Sequence, residues 1–162
     1  MHPPLQPGWI DRPHERLALG DFTLESGEII HDFELSYVTH GTLNASRSNA
    51  ILAVTAIGST HHRLDFLIGP GKALETERYC VIVADAIGNG LTTSPSTSRR
   101  QPGEAFPRFT IRDMVESQRR LLDHLGIAML HAAVGASMGG MQILQWAVSH
   151  PVIGAKVCRV TG

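Results

Sequence analysis

The residues best placed to do chemistry are Gly135-Ala136-Ser137-Met138-Gly139, which fit the pattern Gly-x-Ser-x-Gly. A serine hydroxyl is a weak nucleophile until its setting activates it. A turn that reverses a strand into a helix within so few residues brings two backbones together. Glycines on either side leave no Cβ in the way, and the hydroxyl is held up at the C-terminal edge of a sheet. The N-terminus of the following helix favours negative charge built there. The chemistry implied is acyl transfer through a covalent serine ester. The Met138 N–H would be one oxyanion donor, and an N–H from the loop after an earlier strand the other. Ala56-Ile57-Gly58 occupies such a loop, which makes Ile57 the second candidate.

The elements needed to position Ser137 can be read on both sides of it. Phe22 to Leu24 and Phe33 to Thr39 alternate apolar and polar residues around Ser26-Gly27, as two antiparallel strands do. Ala50 to Ala56 and Tyr79 to Asp85 are short runs rich in Val, Ile and Ala, expected of parallel strands buried on both faces. Between them, the Gly69-Pro70-Gly71 break leaves a crossover that is mostly loop, with a helical turn or two around Lys72 to Thr76. Ala86 to Arg108, rich in Gly, Ser, Thr and Pro, is long for a connector and suggests a functional loop. Thr110 and Asp113 form a capping box ahead of a stripe of Ile111, Met114, Val115, Leu121, Leu122 and Leu125, closed by Gly126. Ala128 to Val134 predicts the strand into the elbow. Gly140 to Ser149 predicts the helix out of it, with Met141, Leu144 and Val148 at helical spacing. Strand and helix alternate, so the fold class is α/β with a mostly parallel sheet and flanking helices.

Separate blocks in order resemble the homoserine O-acetyltransferase family of the α/β-hydrolase fold over roughly residues 20 to 151. They are Gly41-Thr42-Leu43-Asn44 with Arg47-Ser48-Asn49-Ala50, Ile68-Gly69-Pro70-Gly71-Lys72-Ala73, Phe109 to Val115, Gly135 to Gln142 and Trp146-Ala147-Val148. The resemblance implies a serine, here Ser137, that takes an acyl group from an acyl-CoA co-substrate and passes it to the hydroxyl of homoserine. It implies no resident cofactor. Two segments depart from the family. Thr55-Ala56-Ile57-Gly58-Ser59 stands where the family has His-Ala-Leu-Thr-Gly. Asp85 to Gly90 with Ser94-Pro95-Ser96 stands where it has a Ser-Thr-Gly-Pro loop. The chain is as similar to the family's hydrolase-like branch as to its biosynthetic one, so an esterase is a second reading.

In this fold the nucleophile is followed by an acid and then a histidine. After Ser137 the sequence has no Asp or Glu, and its one histidine, His150, lies at the end of the elbow helix and reads as a surface residue. The expectation is a partial domain, 17–162, truncated after the elbow helix and with little or no turnover. An extension over residues 1–16 is expected to be poorly ordered. Val157-Cys158-Arg159-Val160 is read as a short further strand with an exposed edge. A non-catalytic remnant, or a fragment that binds a partner, is a third reading.

Other groups read more simply. Ile87-Gly88-Asn89-Gly90 lacks the third glycine and the helix of a dinucleotide site, so Asp85 is read as fixing a strand-end loop. Gly69-Pro70-Gly71-Lys72 lacks both the first glycine and the Ser or Thr of a phosphate loop. His61-His62 with Asp65 has no further ligand at useful spacing and reads as a solvated loop, so no metal is expected. Arg99-Arg100 reads as a solvated pair. Cys80 is expected in the core, and it and Cys158 are read as reduced thiols. Fourteen Lys and Arg against fifteen Asp and Glu, without charge blocks or an apolar leader, argue against nucleic acid or membrane partners. The partners expected are a small acyl donor and a hydroxyl acceptor, in a cytoplasmic protein for which a homodimer stays open.

Overall fold

The computed structural model describes residues 2–151 and the backbone of Lys156–Val160. Six strands form one sheet: β1 (Glu15–Thr23), β2 (Ile29–His40), β3 (Ala50–Val54), β4 (Cys80–Ala84), β5 (Ala132–Ala136) and β6 (Lys156–Val160), in the order β1-β2-β4-β3-β5-β6. β4, β3, β5 and β6 run parallel, and β1 and β2 are antiparallel additions at one edge. The antiparallel hairpin and the parallel pairing of the two Val- and Ile-rich runs agree with the sequence pattern, but β1 spans Glu15–Thr23, of which Phe22 to Leu24 marked only the end. Every residue of β3 and β4 is buried, because both faces of the sheet are covered.

Alternation along each strand divides the core. Leu52, Val54, Ile82 and Ala84 face a cluster with Leu121, Leu122, Ile143 and Trp146 of α1 (Ile111–His124) and α2 (Met138–Ser149). Ile51, Ala53, Val81 and Val83 face the opposite side, where Leu64, Ile68 and Leu74 cover them. That cover begins as a 3-10 helix over His61–Leu67. The helical turns of the crossover therefore lie before the Gly-Pro-Gly break rather than at Lys72 to Thr76. Leu64, not the later residues, carries the apolar side chain that β3 and β4 need there.

α1 starts at the expected capping box. Thr110 Oγ1 accepts from the Asp113 N–H, and Asp113 Oδ2 accepts from the Thr110 N–H at 2.8 Å. Asp113 Oδ1 also accepts from the Glu25 N–H at 2.7 Å, which ties the β1–β2 turn to the helix start. β5 begins at Ala132, four residues later than the apolar pattern suggested. Met129 within that pattern is exposed. β6 pairs with β5 as a parallel strand. The Cys158 side chain lies outside the described residues.

Ahead of Glu15, Trp9 and Ile10 are held against the body of the fold. The Ile10 N–H donates to Asp65 Oδ2 at 2.9 Å, and the Trp9 ring stacks on His62 at 4.1 Å. Arg16, at the end of the extension read from sequence, is already in β1.

Candidate active site

Ser137 stands alone between β5 and α2 with φ 53° and ψ −122°, and it is exposed. A non-glycine residue there carries strain of about 1–3 kcal/mol, held in place by its surroundings. Those surroundings are the reason for the glycines. A Cβ on Gly135 would collide with the Gly139 backbone and reach within 2.9 Å of Val54 Cγ2. A Cβ on Gly139 would lie 2.8 Å from the Val54 carbonyl oxygen and 3.3 Å from that of Thr55. The elbow therefore presses α2 against the C-terminal end of β3, the strand that leads to Ile57.

A buried chain of hydrogen bonds holds this contact. Gln142 Nε2 donates to the Thr55 carbonyl at 3.0 Å, Gln118 Nε2 donates to Gln142 Oε1 at 2.5 Å, and Trp146 Nε1 donates to Gln118 Oε1 at 2.7 Å. Thr55 Oγ1 in turn accepts from the Ala86 N–H at 3.0 Å. These positioning residues escape a reading built on apolar stripes. The signal was Gln118 placed inside the apolar stripe of α1. They also settle which face of α2 points inward: Gly139, Gly140, Gln142, Ile143 and Trp146 are buried. Met141, Leu144 and Val148, the stripe expected from spacing, are exposed.

Ile57 lies in a turn after β3 with its side chain 78% exposed, next to Gly58 at φ 65°. The Ala56 carbonyl accepts from the Ser59 N–H at 3.3 Å and from Ser59 Oγ at 2.8 Å, which closes the turn. Met138 opens α2, where the first N–H groups have no intrahelical partner. Among the described residues, neither the Ile57 nor the Met138 N–H donates to another group. Ser137 thus has helix N-terminal field and free backbone donors in the neighbouring turns. It has no side-chain cap bond, and among the described residues no histidine or carboxylate is hydrogen-bonded to it. His150 caps the far end of α2, half-buried, its ring 4.9 Å from that of Trp146. Burial lowers its imidazole pKa below the ordinary value.

Asp85 does fix the loop after β4. It is wholly buried, and its carboxylate accepts from Ser36 Oγ at 2.7 Å, the His61 N–H at 2.8 Å and Asn89 Nδ2 at 2.8 Å. His61 and His62 are not solvated. They are 2% and 4% exposed, because the 3-10 helix lays both rings against buried carboxylates, Asp85 and Asp65. Cys80 is in the core, and burial raises its thiol pKa. Arg99 and Arg100 are exposed and line a cavity of about 520 Å³ with Arg16, Asp32, Glu34 and Thr93. None of Ser137, Met138 or Ile57 contributes to that cavity.

Comparison with known proteins matches the model of the alpha/beta hydrolase fold over residues 51–158. A homoserine O-acetyltransferase of Methanococcoides burtonii is 44% identical over 155 residues, covering 85% of this chain and 32% of that protein. The acetyl esterase MekB superposes with a TM-score of 0.87 at 36% identity, covering 92% of this chain and 45% of the other. A homoserine O-acetyltransferase from Bacillus anthracis superposes with a TM-score of 0.84 at 34% identity, covering 92% and 46%. The chain thus spans about a third of the length of the first curated relative and under half of these solved chains.

Proposed function

Because the chain belongs to the α/β-hydrolase fold family, we propose that it carries the nucleophile and oxyanion donors of a serine O-acyltransferase acting on homoserine. The observation that carries this is the strained, exposed Ser137 between β5 and α2, boxed in by glycines that tolerate no side chain. In the proposed reaction Ser137 Oγ adds to the thioester carbonyl of acetyl-CoA while a base takes its proton. The Met138 and Ile57 N–H groups donate to the oxyanion, and the thiol leaves with a proton to give the acetyl-serine ester. The homoserine hydroxyl then adds to that ester, and its O-acetyl product leaves as Ser137 regains its proton. This would be a step in the biosynthesis of methionine, in the cytoplasm.

The base and its acid partner are not hydrogen-bonded to Ser137 among the described residues. The 162-residue chain by itself is therefore expected to turn over several powers of ten more slowly than a chain of the relatives' length. A second reading ends with water as the acceptor. The likeness to the acetyl esterase MekB favours it, and every residue named here would serve both. The test is acetyl-enzyme decay, followed by mass spectrometry in a chain extended to the relatives' length. Acetylation lost in Ser137→Ala, with decay faster when homoserine is added, supports the transferase. Decay to acetate at the same rate with and without homoserine supports the esterase instead. An unacetylated Ser137 overturns both.

A further inference from the structure

Three histidine rings from two distant stretches of chain converge on one point. His2 Nε2 lies 3.3 Å from His61 Nε2 and 3.0 Å from His62 Nε2. One ring nitrogen from each of the three falls within 4.8 Å of the others. His61 and His62 are buried and His2 is half-buried. In sequence only the adjacent pair is visible, because His2 comes from 59 residues away.

The other nitrogen of each ring gives the cluster its meaning. His61 Nδ1 is 2.9 Å from Asp85 Oδ2, His62 Nδ1 is 2.6 Å from Asp65 Oδ2, and His2 Nδ1 is 2.7 Å from the Pro3 carbonyl oxygen. A carbonyl only accepts. Asp85 already receives Ser36, Asn89 and the His61 N–H, and Asp65 Oδ2 receives the Ile10 N–H. In each neutral ring the hydrogen therefore sits on Nδ1, and Nε2 presents a bare lone pair. Lone pairs aimed at one another across such distances repel unless positive charge lies among them. Metal–nitrogen bonds of about 2.0–2.1 Å at the tetrahedral angle set ligand nitrogens roughly 3.3 Å apart, which is the spacing of the His2–His61 pair, while the His2–His62 pair at 3.0 Å would open slightly around an ion. A carboxylate on the far nitrogen is also what orients a ligating histidine.

We infer that His2, His61 and His62 form a site for a divalent transition metal ion of the zinc class, with Asp85 and Asp65 orienting two of the rings. Three imidazoles without a thiolate suit zinc, copper, nickel or cobalt over magnesium or calcium. A water would complete four-coordination there. The ion would fasten the N-terminal segment to the start of the 3-10 helix, whose first residue, His61, follows closely on the Ile57 turn. Trp9 stacked on His62 and Ile10 bonded to Asp65 already hold the intervening chain in place for His2 to reach. The inference does not depend on the acyl-transfer reading.

The experiment titrates cobalt and then zinc into the 162-residue chain, purified without a polyhistidine tag and stripped with a chelator. The expected result is one equivalent bound, with the visible absorption of four-coordinate cobalt that zinc abolishes. Zinc should also raise the thermal midpoint, as any ligand of the folded state does. His2→Ala should weaken binding at least roughly tenfold, the scale that even outer-shell changes reach. Any change in the metal-free midpoint of that variant should be small beside the zinc shift that it abolishes, since His2 is only half-buried. His124→Ala, at the exposed end of α1 and outside the cluster, should leave affinity unaltered. Absence of both the cobalt band and the zinc shift would overturn the site and leave a shared proton as the charge within the cluster. Equal affinity in wild type and His2→Ala would overturn it as well.

Discussion

Ser137 and Gly139 make opposite demands on a side chain, and each demand can be measured. At Gly139 a methyl group would sit 2.8 Å from one β3 carbonyl and 3.3 Å from the next. Neither oxygen can retreat without moving the strand. Gly139→Ala is expected to cost about 1–3 kcal/mol, the usual range for overpacking, read as a fall in the urea midpoint at unchanged slope. At Ser137 the backbone itself is strained, at φ 53°. Ser137→Gly removes the nucleophile yet should stabilise the fold by about 1 kcal/mol. A Ser137→Gly chain no more stable than wild type would mean that the strain is not stored there. This much of the site was legible, because a reversal this tight admits so few residue types that spacing alone marks it. The histidine cluster was not legible, because its meaning depends on a ring far away in sequence and on Asp85, a carboxylate that only folding brings against His61.

Between α1 and α2 the informative residues are polar. Gln118 accepts from Trp146 and donates to Gln142, all three buried. Its truncation leaves a buried N–H and a buried carbonyl without partners. Gln118→Ala should cost about 3 kcal/mol, since each stranded group is worth roughly 1–3 kcal/mol. Arg120→Ala on the exposed side of the same helix removes only the 2.8 Å pair with Glu116 and should cost under about 0.5 kcal/mol. Thermal unfolding of the two variants side by side separates the readings. Comparable losses would mean that the glutamine bridge contributes nothing beyond surface pairing. The same bridge explains what the sequence concealed. Apolar spacing identified α1 correctly because its stripe is bordered by charge. α2 has apolar residues on both sides, so spacing could not choose between Met141, Leu144 and Val148 and the face built on Gln142, Ile143 and Trp146. The β5 pattern began early for a related reason: an apolar approach to a buried strand resembles the strand until exposure at Met129 is seen.

At the level of the whole molecule, the central strands β3 and β4 are covered on both faces, yet α2 turns an apolar surface outward. Met141 is 61% exposed, Leu144 48% and Val148 74%. The longer relatives, of which this chain spans 32% in the first case, have further chain available to lie over such a face. In the 162-residue chain it meets water, and a contiguous apolar stripe on a helix favours association. The expected outcome is sedimentation that depends on concentration. It should be relieved in a Leu144→Gln, Val148→Lys double variant, with no loss in thermal midpoint because neither side chain contributes to the core. The sheet offers a competing route, since β6 is the last strand in the order and carries an unpaired edge among the described residues. The double variant distinguishes the two. Association that disappears with the charge belongs to the α2 face. Association that persists unchanged belongs to the β6 edge, where pairing runs through backbone groups that no side-chain substitution on α2 can remove.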